Sequence, residues 1–147
     1  MAQRWTKEDL RKLRDTISEC ERTTEGEIRV SIERRIPWHE RRSTLIERAL
    51  REFHRLGMQH TKGRTGVLIF ISIPHRQFHI VADEGIAKIA PEKTWVNVAQ
   101  DFGSQLRQKP FMDAVGLAVK QVGRVLSEHL PANGDNRNEL SNEPTIR

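Results

Sequence analysis

The sequence predicts an α/β protein in which a small mixed sheet lies between helices in an α/β/α sandwich. Three observations predict it. Four segments repeat apolar residues at helical spacing, Ile28, Val30 and Ile32 alternate with polar residues, and the apolar run from Val67 to Ile73 is joined to a further strand by only the short turn "PHRQ". A chain of 147 residues is long enough to bury a core without disulfide or metal staples. One domain is expected over residues 1–131, followed by a polar tail over 132–147.

The elements follow in order. Thr6, with Asp9 three residues on, signals a helix start, and Leu10, Leu13, Ile17 and Cys20 form its apolar face. That spacing makes Cys20 a core thiol. After "TTEG", Ile28, Val30 and Ile32 alternate with Glu27, Arg29, Ser31 and Glu33, the mark of a half-buried strand. Ser43 is placed to cap a second helix with the face Leu45, Ile46, Ala49, Leu50 and Phe53, closing near Gly57. Val67 to Ile73 is apolar on both faces, as in a central strand covered from either side, and Pro74 stops it. The four-residue turn after it is too short for a crossover, so the strand through Phe78 to Asp83 returns antiparallel. Pro91 opens a helix carrying Trp95, Val98, Phe102 and Leu106; Pro110 separates it from a last helix through Val115, Ala118, Val122, Val125 and Leu126, in which Gly116 and Gly123 permit close packing. The stretch "ANGDNRNELSNEPTIR" has turn formers throughout and no apolar periodicity, so a surface-hugging or disordered tail is expected.

Composition narrows the function. The single cysteine excludes an internal disulfide and a multi-cysteine zinc site, and the six histidines include no HExxH pair. No GxSxG, P-loop or GxGxxG is present, so serine hydrolases, P-loop nucleotide hydrolases and dinucleotide oxidoreductases lack their local signatures. With no tyrosine, a base-stacking platform for nucleic acid is unsupported. The longest apolar run, "VLIFISI", is too short to span a bilayer and no signal-peptide pattern opens the chain; the protein is expected in the cytosol. In the acidic set "GDNRNEL", Asp135 and Glu139 do not fit the register of a calcium loop.

Two surfaces are candidates for chemistry. If the first two strands are parallel and the third returns, Glu25, Glu27, Asp83 and Glu84 converge at one end of the sheet, where "TKGRTG" also brings Lys62 and Arg64. Glu27, Asp83 and Glu84 are oxygen ligands of the kind calcium or magnesium takes, with Arg64 able to hold a phosphate beside them; the alternative is a set of surface salt bridges. The second surface is "ERRIPWHERR", where Arg34, Arg35, Arg41 and Arg42 surround Trp38. It suits phosphates or an anionic surface, or serves only as a solvated loop.

The segments "TTEGEIRVSIE", "KGRTGVLIFIS" and "RQFHIVADEGI", Trp95 in the helix that follows, and "GDNRNELSNEP", in that order, resemble the TPM domain family, in the form of its short stand-alone bacterial branch. Its name joins a thylakoid lumen protein, a photosystem II repair protein and a modulator of a levamisole-sensitive receptor. The likeness runs from about Trp5 to Glu143 and implies an α/β/α sandwich. It also implies functions of several kinds, since a plant member is described as an acid phosphatase, others act in membrane-complex repair or receptor modulation, and some bind divalent cations. Phosphatase-associated relatives share a "GYGLE…D" stretch after the third strand, where this chain reads "ADEGIAKIAPEKTW". Many relatives also carry a signal peptide and a membrane anchor. Two expectations result. One is a divalent-cation protein with phosphatase-like activity resting on Asp83 and Arg64; the other is a non-catalytic module that engages a protein partner or anionic surface through Arg34, Arg35, Trp38, Arg41 and Arg42.

Overall fold

The computed structural model describes residues 4–132 and 141–147, so Asp135 and Glu139 lie outside the described residues. The elements are α1 (Lys7–Glu21), β1 (Glu27–Glu33), α2 (Leu45–Arg55), β2 (Gly66–Ser72), β3 (Gln77–Ala82), α3 (Glu84–Ala87), α4 (Glu92–Gln108), α5 (Phe111–His129) and β4 (Thr145–Ile146). They build a mixed sheet in the order β3-β2-β1-β4, with β1 parallel to β2 and β3 antiparallel to β2. The expected α/β sandwich is the observed architecture.

Local chemistry accounts for the helix starts. Thr6 accepts a hydrogen bond from the Asp9 N–H at 3.1 Å and Asp9 accepts one from the Thr6 N–H at 2.8 Å, which satisfies two otherwise orphaned donors. The same reciprocal cap starts α2 at Thr44 with Glu47, one residue later than Ser43. Asp83 caps α3, a single turn that the sequence pattern does not separate from the loop after β3.

One sheet face meets α1, α4 and α5 through Ile28, Val30, Ile32, Val67, Ile69 and Ile71, and forms the main core. Here α1 and α5 approach closely because residue 123 is glycine: a Cβ there would stand 2.7 Å from the Cys20 sulfur. Cys20 is half-buried at that contact, on the predicted face. The opposite face carries a smaller cluster of Leu68 and Phe70 with Ala49, Phe53 and Met58.

Two expectations are corrected. β1 is enclosed on both faces: Glu27, Ser31 and Glu33 are buried like its isoleucines, and Arg29 is half-buried. Correspondingly α2 is rotated: it buries Arg48, Ala49, Glu52 and Phe53, and leaves Ile46 52% and Leu50 43% exposed. Polar side chains on β1 attract the Arg48 and Glu52 stripe of α2, because charges taken from water must find opposite charges or hydrogen bonds. The end of the stretch read as a tail forms regular pairing. Thr145 and Ile146 pair parallel with Ser31 and Ile32, the Arg147 N–H donates to the Ile32 carbonyl at 3.0 Å, and the Arg34 N–H donates to the Arg147 carbonyl at 2.8 Å. A two-residue strand has no period to read, and its place is set by the open edge of β1.

Candidate functional site

The strands do bring their loops to one end of the sheet. β1 and β2 start in register at Glu27 and Gly66, and β3 ends opposite Val67 at Ala82. The loop before β2 is held by tight backbone geometry: Gly63 and Arg64 both adopt left-handed φ, at 81° and 57°. For arginine this costs roughly 1–2 kcal/mol. The Arg64 carbonyl accepts from the Gly85 N–H at 2.8 Å, and a Cβ on residue 85 would lie 1.9 Å from the Gly63 carbonyl oxygen, so glycine is required there.

At that edge the side chains divide. Arg64 donates to both Asp83 oxygens, at 2.9 and 3.0 Å, and the Glu84 N–H donates to Asp83 Oδ1 at 2.8 Å. The Arg64 guanidinium is pushed up in pKa by its Asp83 hydrogen bond, and exposed Glu84 stands 3.8 Å from it. Glu27 instead belongs with Glu21 at the end of α1. Burial, followed by the nearby Glu27 charge, pushes the Glu21 carboxyl up to about 9, while the Ile28 N–H donates to it at 2.7 Å. Among the described residues no group of three or more histidine, cysteine, aspartate and glutamate side chains is arranged to hold a metal ion. Glu27, Asp83 and Glu84 are therefore not assembled as a metal trio, and Asp83 as placed does not fit the role of a free ligand.

The basic loop after β1 presents a different arrangement. Arg34, Arg35, Trp38, Arg41 and Arg42 are all exposed, but they point to different places. Arg34 lies over the Trp5 ring at 4.5 Å, whereas Arg41 stacks on Trp38 at 3.7 Å. Trp38 is 76% exposed. Arg35 lines a groove of about 270 Å³ together with His39, Arg51, Arg55 and Arg147, over a floor made by the polar face of β1.

That floor is the part sequence patterning missed. Arg48 donates to Glu33 at 3.0 and 3.2 Å and to the Ser43 carbonyl at 2.7 Å, and contacts His75 Nδ1 at 3.2 Å; the Ser72 hydroxyl donates to the same Glu33 carboxylate at 2.7 Å. Beside it, Glu52 accepts from Ser31, Arg55 and Arg147. Burial pushes the Glu52 carboxyl up, but Arg55, Ser31 and Arg147 outweigh it and leave its pKa below the ordinary value. The available signal was the spacing of Arg48, Glu52 and Arg55, a charged stripe at helical period facing a strand with Ser31 and Glu33. Among the described residues no helix is long and apolar enough to cross a membrane.

Comparison with known proteins agrees with this architecture. The TPM domain matches residues 2–125. A solved structure, the NMR structure of BA42 protein from the psychrophilic bacterium Bizionia argentinensis, superposes with a TM-score of 0.88 at 27% identity, covering 100% of this chain and 98% of that one. No curated protein matches the chain. The family match over most of the chain, on a fold with the expected strand order, establishes that this protein belongs to the TPM domain family.

Proposed function

We propose that the chain is a non-catalytic binding module that engages an anionic protein surface through the loop after β1. The observation that carries this reading is the exposed Trp38 with the Arg41 guanidinium stacked on it, beside the arginine-lined groove. Tryptophan and arginine dominate the energetics of protein interfaces, and stacking orients the guanidinium before a partner arrives. Arg51, Arg55 and Arg147 are each tethered by a carboxylate, which fixes their heads while leaving further N–H donors for an incoming anion.

The test is retention on immobilised polyglutamate at low salt. Reversing Arg35, Arg41 and Arg42 to glutamate is expected to abolish retention, and Trp38→Ala to weaken it, with near-ultraviolet circular dichroism otherwise preserved. The control reverses Lys88, Lys93 and Lys120, which are equally exposed, and changes net charge by the same amount. Equal loss in the control would show that only bulk charge is being read, and the proposal would fail.

A second reading, a divalent cation at the Arg64 end, is favoured by one observation: Asp83 and Glu84 place carboxylate oxygens beside the Arg64 guanidinium, and the Gly63 and Arg64 carbonyls crowd against Gly85 next to Glu84. Calcium or magnesium would have to displace Arg64 from Asp83. Arg64→Ala is therefore expected to enlarge any metal-induced rise in Tm by a few degrees, roughly what a tenfold gain in affinity provides. Calcium and magnesium titrated against thermal melts of both proteins decide it, and no rise in either would remove this reading and, with it, metal-dependent phosphatase chemistry at Asp83.

A further inference from the structure

β3 is the outer strand on its side of the sheet, while the far edge beyond β1 is closed by β4. The Asp83 N–H donates to the Gly66 carbonyl at 2.9 Å, which sets the phase of the antiparallel ladder. Alternate residues then turn their peptide groups to β2, and those between, Phe78, Ile80 and Ala82, turn theirs outward. An edge of this kind is a template for another strand.

The groove beside the first half of this edge, at Gln77, Phe78 and His79, holds about 1060 Å³. Leu45 and Ile46 at the start of α2 form one wall, and Phe78 with Leu106 of α4 form the other. Among the described residues the charges around it have one sign: Arg76, Arg107 and Lys109 line the groove, and no aspartate or glutamate does. Arg107 and Lys109 stand on the α4 side, opposite the apolar start of α2. This groove shares no residue with the arginine-lined groove on the other flank of α2, so it is a separate surface.

We propose that the β3 edge binds an extended acidic peptide segment as an added strand, its apolar side chains directed to Leu45 and Ile46 and its carboxylates to Arg107 and Lys109. Strand addition supplies the main-chain bonds, and the alternation of side chains across a strand matches a groove with Leu45 and Ile46 on one flank and Arg107 and Lys109 beside Phe78 and Leu106 on the other. A second copy of this chain is the poorer occupant. Its own edge, "QFHIVA", has no acidic residue and would bring another Arg76, Arg107 and Lys109 against the first set.

The test titrates a peptide of alternating glutamate and valine into the ¹⁵N-labelled protein, with an alternating lysine and valine peptide beside it. The acidic peptide is expected to slow hydrogen exchange at the amides of Phe78, Ile80 and Ala82, and the basic one to leave them unchanged. Arg107→Glu together with Lys109→Glu should weaken binding by about tenfold or more, equivalent to about 1.4 kcal/mol. N-methylating either the glutamates or the valines distinguishes pairing from simple charge attraction, because only one set can donate to β3. One methylated peptide should lose binding and the other retain it. Equal binding by both, perturbation confined to Arg35 and Arg41, or a concentration-dependent dimer formed through β3 would each overturn the proposal, as would absence of binding.

Discussion

Arg48→Ala is expected to cost about 3–5 kcal/mol in denaturant unfolding, the penalty for leaving a buried carboxylate without its partner. Arg48 is the largest fully buried side chain among the described residues, and its guanidinium joins Glu33, the Ser43 carbonyl and His75. Removing it leaves the Ser72 hydroxyl, at 2.7 Å, as the side-chain donor to Glu33 among the described residues. Against a typical total stability of about 5–15 kcal/mol, the loss removes a large fraction. The partner test is the double variant Arg48→Met with Glu33→Gln, which eliminates both charges and keeps an acceptor for Ser72. It should recover most of the stability, because a buried ion pair is worth much less than the cost of breaking it from one side. A loss below about 1 kcal/mol in the single variant would mean that water or neighbouring groups replace the guanidinium, and that the pair is not what seats α2 on β1.

Glu21→Gln is expected to raise stability at alkaline pH and to change it little near pH 5. The folded-state pKa of Glu21 is about 9 against an ordinary 4.5, because burial and the neighbouring Glu27 both oppose its charge. The sign follows from proton binding. Between these two values the folded chain keeps a proton that the unfolded chain releases, so wild-type stability falls as pH rises from the lower value towards the higher one. Glutamine mimics the neutral carboxyl, retains an acceptor for the Ile28 N–H and removes the titration. By pH 8 the difference should reach on the order of 5 kcal/mol, or roughly 10–20 °C in Tm for a domain of this size. Thermal melts of both proteins from pH 5 to 9 measure it. Parallel profiles for the two proteins would show that Glu21 is not the group responsible.

Much of the architecture could be read before any coordinates. The α1 face through Leu13 and Ile17, the α4 face through Val98 and Phe102, and the hairpin forced by a four-residue turn are all local patterns, and all are present. The convergence of Glu27, Arg64 and Asp83 at one sheet end also followed from strand direction alone. Their pairing did not follow, because direction places backbones while side-chain contacts depend on ångström distances: Asp83 turned to Arg64, and Glu27 to Glu21. The basic loop was legible as a cluster of like charges around a tryptophan, but the division of Arg34 to Trp5 and Arg41 to Trp38 was not.

By itself, then, the sequence determined the order of the four long helices and the first three strands, the antiparallel return of β3 and the apolar faces of α1, α4 and α5, because each depends on residues within a few positions of one another. Only the tertiary structure decided the rotation of α2, the burial of Glu33 with Arg48, the closure of one sheet edge by Thr145 and Ile146, and the open groove beside the other. The physical reason is that a charged side chain carries the same pattern whether it faces water or an opposite charge. Which of the two it meets is settled between elements far apart in the chain, where Arg48 and Glu33 cancel each other's cost of leaving water.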